Sequence, residues 1–280
     1  LVELAPNSQN SIFGENGDDE IKLTGKKISV DDHINGGPGS DTVIVEQSNN
    51  NNFNFLNIEK LILTNNAGGI NTVEKSNGPL SILLETGTSG IPSNFSIQNV
   101  PTQSNITVDN APEENIGLGS FLISYAELEA LDTININSKK VSGDFFTDNI
   151  ELINLNFKES VIANGSDFKF QDAARVIISA EKDFIIRNFI GDASKAKDTL
   201  KELSIDGKHK VLIDGTKNIS TLETINIFAN ENIEIKSLGT GELETLSLES
   251  QEGDLIIDQV DASNSGALAL INFSSNGNIY

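Results

Sequence analysis

The sequence predicts an all-β protein, a parallel β-roll or β-helix wound as a β-solenoid, and three observations carry that prediction. The first is a six-residue pattern, apolar-x-x-apolar-x-apolar. It runs from Ile58 to Leu63 and returns in copies starting at Leu131, Ile150, Ala173, Leu200, Leu222, Leu243 and Leu268. From Leu131 the starts step by 19, 23, 27, 22, 21 and 25 residues. A period of roughly 20–30 residues with little helix signal is that of stacked strand coils. The second observation is a following strand at constant offset. Ile178 and Ile186, Ile205 and Ile213, Ile227 and Ile235, and Leu248 and Ile256 are each eight residues apart. A constant gap makes the same corner in every coil, and alternating apolar positions point one row of side chains inward. The third is a set of Gly- and Asp-rich nonapeptides near the start of the chain.

In chain order, Leu1 to Asn10 is expected to be a lead-in strand or linker, and Ser11 to Val45 a roll. Gly36 to Ile44 fit the nine-residue repeat G-G-x-G-x-D-x-U-x, with U large and apolar, which builds a calcium-binding parallel β-roll. The glycines let the turn take positive φ and bring backbone carbonyls close to an ion. The Asp supplies the hard anionic oxygen that Ca²⁺ prefers, and the apolar residue points back into the roll as part of a short strand. Gly14 to Lys22 is another copy, lacking only the second Gly, while Lys27 to Asn35 lacks the glycines but keeps Asp32, His33 and Ile34 in frame.

Two nonapeptides make one coil, so loops should stack at a spacing of about 18 residues. The step from Gly14 to Gly36 is 22, which implies a four-residue insertion, placed at Leu23 to Lys26. The first and third loops then share one edge and one Ca²⁺. Asp19 and Asp41 are the expected side-chain ligands, and carbonyls of Gly14, Asn16, Gly36 and Pro38 supply the remainder. The middle loop, with Asp31 and Asp32, is expected on the opposite edge without a partner, as a candidate second metal position. The alternative is that these are turns between strands that bind no metal.

The sequence divides into a calcium roll segment over 1–47, an irregular β subdomain or insertion over 48–123, and the solenoid over 124–280. Ser48 to Asn52 reads as a polar loop rather than a ladder of stacked Asn side chains. Asn65 to Ser120 keeps strand-like runs that Pro79, Pro92, Pro101 and Pro112 interrupt. Ser124 to Leu131, where Tyr-Ala-Glu-Leu-Glu-Ala favours helix, reads either as a helical turn or as a lead into the next strand, and a short helical turn is expected at Gly191 to Thr199.

The composition limits function. There is no Cys, Met or Trp, which excludes disulfides, thiolate metal sites and a Cys nucleophile. Leu at position 1 and the absence of Met read as a fragment or a processed product. No apolar run approaches the length of a membrane-spanning helix. A net charge of −22 argues against nucleic acid, whose phosphates it would repel. That charge suits a calcium-dependent extracellular protein, in which divalent ions offset part of the self-repulsion.

Candidate chemistry is sparse. The residue after the first apolar position of the solenoid motif is acidic at Asp132, Glu151, Glu223 and Glu244. In register these carboxylates form a column, read either as a second divalent-ion site or as a solvated face relieved by Lys201; the second reading is favoured. Arg175 and Arg187 are the only two Arg, with no acid cluster local to either. A β-helix enzyme acting on acidic polysaccharide would need Arg or Lys converging with carboxylates. His33 and His209 read as turn residues. No H-E-x-x-H or G-x-S-x-G pattern and no phosphate loop is present.

The joined features resemble the crystalline surface-layer proteins of Gram-negative bacteria, repeats-in-toxin (RTX) relatives exported by type I secretion. The Asn-rich, Cys-free style is similar to the Campylobacter kind. The nonapeptide part covers only about 35 residues and speaks for calcium rather than for a lattice. The resemblance implies a secreted structural protein with no enzymatic activity and no transmembrane segment. Calcium would order it outside the cell and drive self-association into a two-dimensional lattice, held on the surface through lipopolysaccharide or another glycan. A type I-secreted adhesin is the first alternative, and a β-helix polysaccharide-modifying enzyme the second.

Overall fold

A computed structural model describes residues 10–24, 28–29, 31–46, 51–64, 69–86, 94–110, 120–125, 133–138, 145–148, 150–158, 161–170, 172–190, 200–217, 221–239, 242–261 and 270–280. The described residues form strands and turns and no helix, and the parallel strands stack as a β-solenoid. The chain makes two compact units, Leu1–Ile136 and Asn137–Tyr280.

The first unit holds β1 (Ser11–Phe13), β2 (Glu20–Thr24), β3 (His33–Asn35), β4 (Thr42–Glu46), β5 (Asn52–Leu56) and β6 (Lys60–Thr64). It continues with β7 (Gly69–Lys75), β8 (Ser81–Thr86), β9 (Asn94–Val100), β10 (Asn105–Asn110) and β11 (Ser120–Tyr125), and β12 (Thr133–Ser138) spans the boundary. Odd-numbered strands stack in the order β1-β3-β5-β7-β9-β11, and even-numbered strands in the order β10-β8-β6-β4-β2. Each coil therefore contributes one strand to each sheet, and its neighbours supply the backbone partners it lacks alone.

Alternation accounts for the core. In β4 Val43 and Val45 are buried; they stand beside Ile21 and Leu23 of β2 and Leu61 and Leu63 of β6. Leu23 and Thr24 pair in register with Val45 and Glu46, so these two residues are strand rather than insertion. Leu23 is needed inside as the next residue of the apolar row. The remaining extra residues of the coil fall after Thr24, where 25–27 lie outside the described residues.

The proline-interrupted stretch carries β7 to β10 in the same stack, Lys60 beside Ser81, Ser81 beside Asn105 and Gly69 beside Phe95. Its irregularity lies within strands as well as at a turn: Asn99 in β9 and Gln103 between β9 and β10 take φ of 55° and 62°, and the register shifts where β7 meets β5 and β9 meets β11. Ser124 and Tyr125 end β11 as strand. The rest of that stretch, 126–132, and the helical turn expected over 191–199 lie outside the described residues.

The second unit holds β13 (Phe145–Asp148), β14 (Leu152–Phe157), β15 (Val161–Phe170), β16 (Arg175–Ala180), β17 (Phe184–Ile190), β18 (Glu202–Gly207) and β19 (Val211–Lys217). It ends with β20 (Thr224–Ala229), β21 (Ile233–Ile235), β22 (Leu238–Gly239), β23 (Thr245–Ser250), β24 (Leu255–Ile257), β25 (Val260–Asp261) and β26 (Leu270–Ser275). One sheet runs β13-β15-β17-β19-β21-β24, another runs β14-β16-β18-β20-β23-β26, and β22 pairs with β25.

The six-residue pattern now has a structural meaning. Its first apolar residue is buried at the corner before a strand: Ile150, Ala173, Leu200, Leu222 and Leu243 are all fully buried. The next two apolar positions are the inward residues of the strand, such as Val176 and Ile178, Leu203 and Ile205, and Ile225 and Ile227. The inward position after those is small, Ala180, Gly207, Ala229 and Ser250 in consecutive coils. At Gly207 a Cβ would lie 2.6 Å from Val211 Cγ2, whereas one coil before Ala180 the same position holds the buried Phe157.

The strand after the corner stacks Ile186, Ile213, Ile235 and Ile257. The last member is Ile257 rather than the expected Ile256, which pairs with Glu234 and points outward. An extra corner residue is absorbed in a turn where Ser250 Oγ accepts from the Gly253 N–H at 3.1 Å.

Candidate metal centre

The two glycine loops lie on the same edge of the first unit, in adjacent coils. Gly14 N–H donates to Asn35 O at 2.7 Å, Gly17 N–H to Pro38 O at 2.8 Å and Thr42 N–H to Asp19 O at 2.8 Å. Ser40 N–H donates to Asp18 Oδ1 at 2.8 Å. The register is 22 residues, as the spacing of the two motifs predicts.

Asp19 and Asp41 meet at equivalent positions. Asp19 Oδ2 accepts the Glu15 N–H at 2.7 Å, and Asp41 Oδ1 accepts the Asp19 N–H at 2.8 Å. Asp41 is fully buried, and its Oδ2 has no hydrogen-bond partner among the described residues. An unpaired carboxylate oxygen shielded from water costs free energy unless a donor or a cation reaches it.

The glycines explain the close approach of the loops. A Cβ on Gly14 would run into the Gly36 carbonyl oxygen and lie 2.7 Å from Asp19 Oδ2. A Cβ on Gly36 would run into Asn57 O and Asp41 Oδ2, and one on Gly37 into Glu15 O. Gly17 and Gly37 also take φ of 113° and 92°, the left-handed region that suits glycine. These occupy different positions of the nonapeptide, so the two loops are not conformational copies. The atoms that crowd the bare glycines are carbonyl and carboxylate oxygens, the donor set of a hard cation. The residues present therefore fit Ca²⁺.

Among the expected ligands, Gly36 O and both carboxylates lie in this cradle, and Gly14 O lies 3.4 Å from the Cβ position on Gly37. Pro38 O accepts from Gly17, and Asn16 is exposed. Glu59 continues the row of acids into the next coil and was not anticipated. Its Oε2 accepts the Asp41 N–H at 2.7 Å, 18 residues away. That spacing, equal to two uninterrupted nonapeptides, was the available signal; the absence of glycine around Glu59 hid it. Asn57 is its companion, at φ 52° with its carbonyl over Gly36.

The opposite corner differs from expectation. Asp32 has a partner, Asn10 of the preceding coil. Its Oδ1 accepts from Asn10 N at 3.0 Å and Nδ2 at 2.6 Å, and its Oδ2 from Ser29 N at 2.9 Å and Oγ at 3.1 Å. Burial alone would push this carboxyl up, but the bonds from Ser29 and Asn10 outweigh it and hold the group below the usual 3.8. These donors occupy the lone pairs a second cation would use, and Asp31 is an exposed turn residue. In the next coils Asn51, expected in a loop, is buried and donates from Nδ2 to Asn71 Oδ1 at 2.8 Å. Stacked amides also join Asn77 to Asn57 at 2.9 Å and Asn57 to Asn35 at 3.1 Å.

In the second unit the acidic column is in register. Ala174 N–H donates to Glu151 O, Lys201 to Ala174, Glu223 to Lys201 and Glu244 to Glu223. Lys201 Nζ lies 2.9 Å from Glu223 Oε1. The hydrogen bond that Lys201 donates to Glu223, then the Glu223 charge, with lesser help from Glu242 and Glu244, raises the Lys201 pKa against the opposing effect of burial. The column is a solvated face with a neutralising Lys; Asp132 lies outside the described residues. The two Arg side chains each hold a carboxylate, Arg175 with Glu202 at 3.0 Å and Arg187 with Asp167 at 2.7 Å. They stand in different sheets, β16 and β17, so they do not converge.

No protein-family model matches the chain, and no curated protein or solved structure gives a significant match. Among the described residues no helix is long and apolar enough to cross a membrane.

Proposed function

We propose that the chain is a structural component of a bacterial surface layer, an RTX-like, secreted β-solenoid whose first coils are locked by Ca²⁺. The observation that carries the calcium reading is Asp41 Oδ2, buried without a hydrogen bond between stacked glycine loops. Asp19 and Asp41 would hold the ion, with carbonyls of Gly14, Gly36 and Asn57 around them. The ion would supply positive charge beside Asp41 Oδ2 and the Asp19 carboxylate, and the coils would stack on the ordered edge. The outward rows of Asn, Thr and acidic side chains, a net charge of −22 and the placement of Arg175 and Arg187 in different sheets support a scaffold over an enzyme. Lattice self-association and attachment to a surface glycan complete the reading. An adhesin would use the same scaffold as a monomer.

The calcium part is tested by thermal unfolding with Ca²⁺ and with chelator. Saturating one site a hundredfold above its Kd adds about 2.7 kcal/mol, seen as a rise in Tm. Asp41→Asn keeps the shape and is expected to lose that rise. An equal rise in the variant would end the assignment. The lattice part is tested by electron microscopy of the full-length protein. Ordered sheets with Ca²⁺ and none with chelator are expected; dispersed particles in both would favour the adhesin.

A further inference from the structure

A second cluster of metal-ligating side chains lies in the other unit, at a corner no motif pointed to. Asp183 precedes β17, His209 precedes β19 and Glu231 precedes β21, so three consecutive coils each present one ligand at the same bend. One donor atom from each lies within 4.8 Å of the other two. His209 Nδ1 is 2.7 Å from Glu231 Oε1. The backbone holds the bend, since Phe184 N–H donates to Lys210 O at 2.8 Å and Val211 N–H to Asn232 O at 2.9 Å.

The surrounding charges leave the cluster available to a cation. Lys208 and Lys210 flank His209 in the chain, but each turns to a carboxylate outside the trio. Lys208 pairs with Asp206 at 3.1 Å, and Lys210 with Glu234 at 3.1 Å. Asp183 and His209 are half-buried and Glu231 is exposed, so the long Glu231 side chain is free to adjust by the fraction of an ångström that coordination requires.

We propose that Asp183, His209 and Glu231 form a site for a divalent transition ion of the zinc class, which clips three successive coils of the second unit together. One imidazole nitrogen with two carboxylate oxygens is a donor set of that class rather than of Ca²⁺, which takes oxygen alone. Three protein ligands at an exposed corner leave the remaining positions to water. The site differs in unit, ligand type and ion from the glycine cradle, and does not depend on it.

The chain has only two His, which makes the test clean. Zn²⁺ is titrated into the full chain while imidazole resonances are followed by NMR, with affinity measured by calorimetry. The His209 ring signals are expected to shift and those of His33 to stay. His209→Gln should weaken Zn²⁺ by more than the roughly 10–100-fold that loss of even an outer partner costs, and His33→Gln should change nothing. Excess Ca²⁺ should not displace the ion. Unmoved His209 signals at saturating Zn²⁺, or wild-type affinity in His209→Gln, would overturn the site. The NMR readout uses the unmodified protein, so it decides even where a variant folds poorly.

Discussion

Asp32 and Asp41 are both fully buried carboxylates of the first unit, and their surroundings give them opposite roles. Asp32 is saturated by Ser29 and Asn10, so it fastens the corner between β2 and β3 to the coil before it. Its folded pKa lies below the ordinary 3.8. The stability it contributes is therefore fully present above the unfolded value and is lost as pH falls through the lower folded value. Asp32→Asn should cost about 1–3 kcal/mol at neutral pH, since a charge-assisted acceptor is replaced by an amide whose NH₂ faces donors. The gap between wild type and variant should close in strong acid. Urea titrations across that range measure both; a gap independent of pH would contradict the assignment. The Asp32 site was only half legible, because Asn10 is remote in sequence and reads as a lead-in. Asp41 was legible because the nonapeptide fixes both its chemistry and its turn.

At the scale of elements, two motifs that look unrelated in the sequence are one corner. In the nonapeptide, Asp41 precedes Thr42 and the inward Val43. In the solenoid pattern, Glu59 precedes Lys60 and the inward Leu61, and Glu223 precedes Thr224 and the inward Ile225. At this corner one carbonyl serves two N–H groups of the next coil. Asp41 O takes Glu59 and Lys60, and Lys201 O takes Glu223 and Thr224. The residue two before the first inward side chain thus makes the same backbone bend in both motifs, whether it is an acid, as at Asp41, Glu59 and Glu223, or not, as at Ala174 and Lys201, and the glycines around Asp41 are what bring oxygens close there.

The opposite sheet of the second unit was harder to read. β15 shifts register between Ala163 and Asp167, so its inward Phe168 and Phe170 are out of step with Val161 at the start of the strand. They nonetheless make the densest aromatic packing described. Phe168 has Phe157, Phe170, Phe184 and Phe189 at ring-centroid distances of 6.4, 6.3, 6.0 and 6.3 Å. Phe168→Ala should cost about 3–5 kcal/mol, measured by chemical denaturation, and Phe168→Leu clearly less. A cost under about 1 kcal/mol, the scale of a surface change, would mean the rings do not form the core described.

At the scale of the molecule, coils in parallel register with corners of variable length make stability a sum over neighbours. The inner strand residues define a coil, whereas the number of residues between one coil's strand and the next varies, 27 from β16 to β18 and 22 from β18 to β20, without disturbing the register. This is why constant spacings were recoverable from the sequence, while the extra corner residue that moves Ile256 outward was not: a turn held by Ser250 and Gly253 leaves no apolar trace. Deleting residues 208–229 removes one coil of 22 and joins Gly207 to Asn230, whose N–H already donates to the Gly207 carbonyl at 3.2 Å. The shortened protein should keep its strand circular dichroism and unfold cooperatively. Removing half that length at the same place should not, because it turns inward residues outward and breaks the columns. Equal tolerance of both deletions would refute the stacking.

The same arithmetic bears on how such a gene changes. Unequal recombination that inserts or drops one coil's worth of codons leaves every surviving contact between neighbouring coils intact. It moves whatever is encoded downstream along the stack by one strand spacing, about 4.8 Å. Within a unit, reach is then an inherited trait adjustable in fixed increments, and selection can act on it without first having to rebuild a hydrophobic interior.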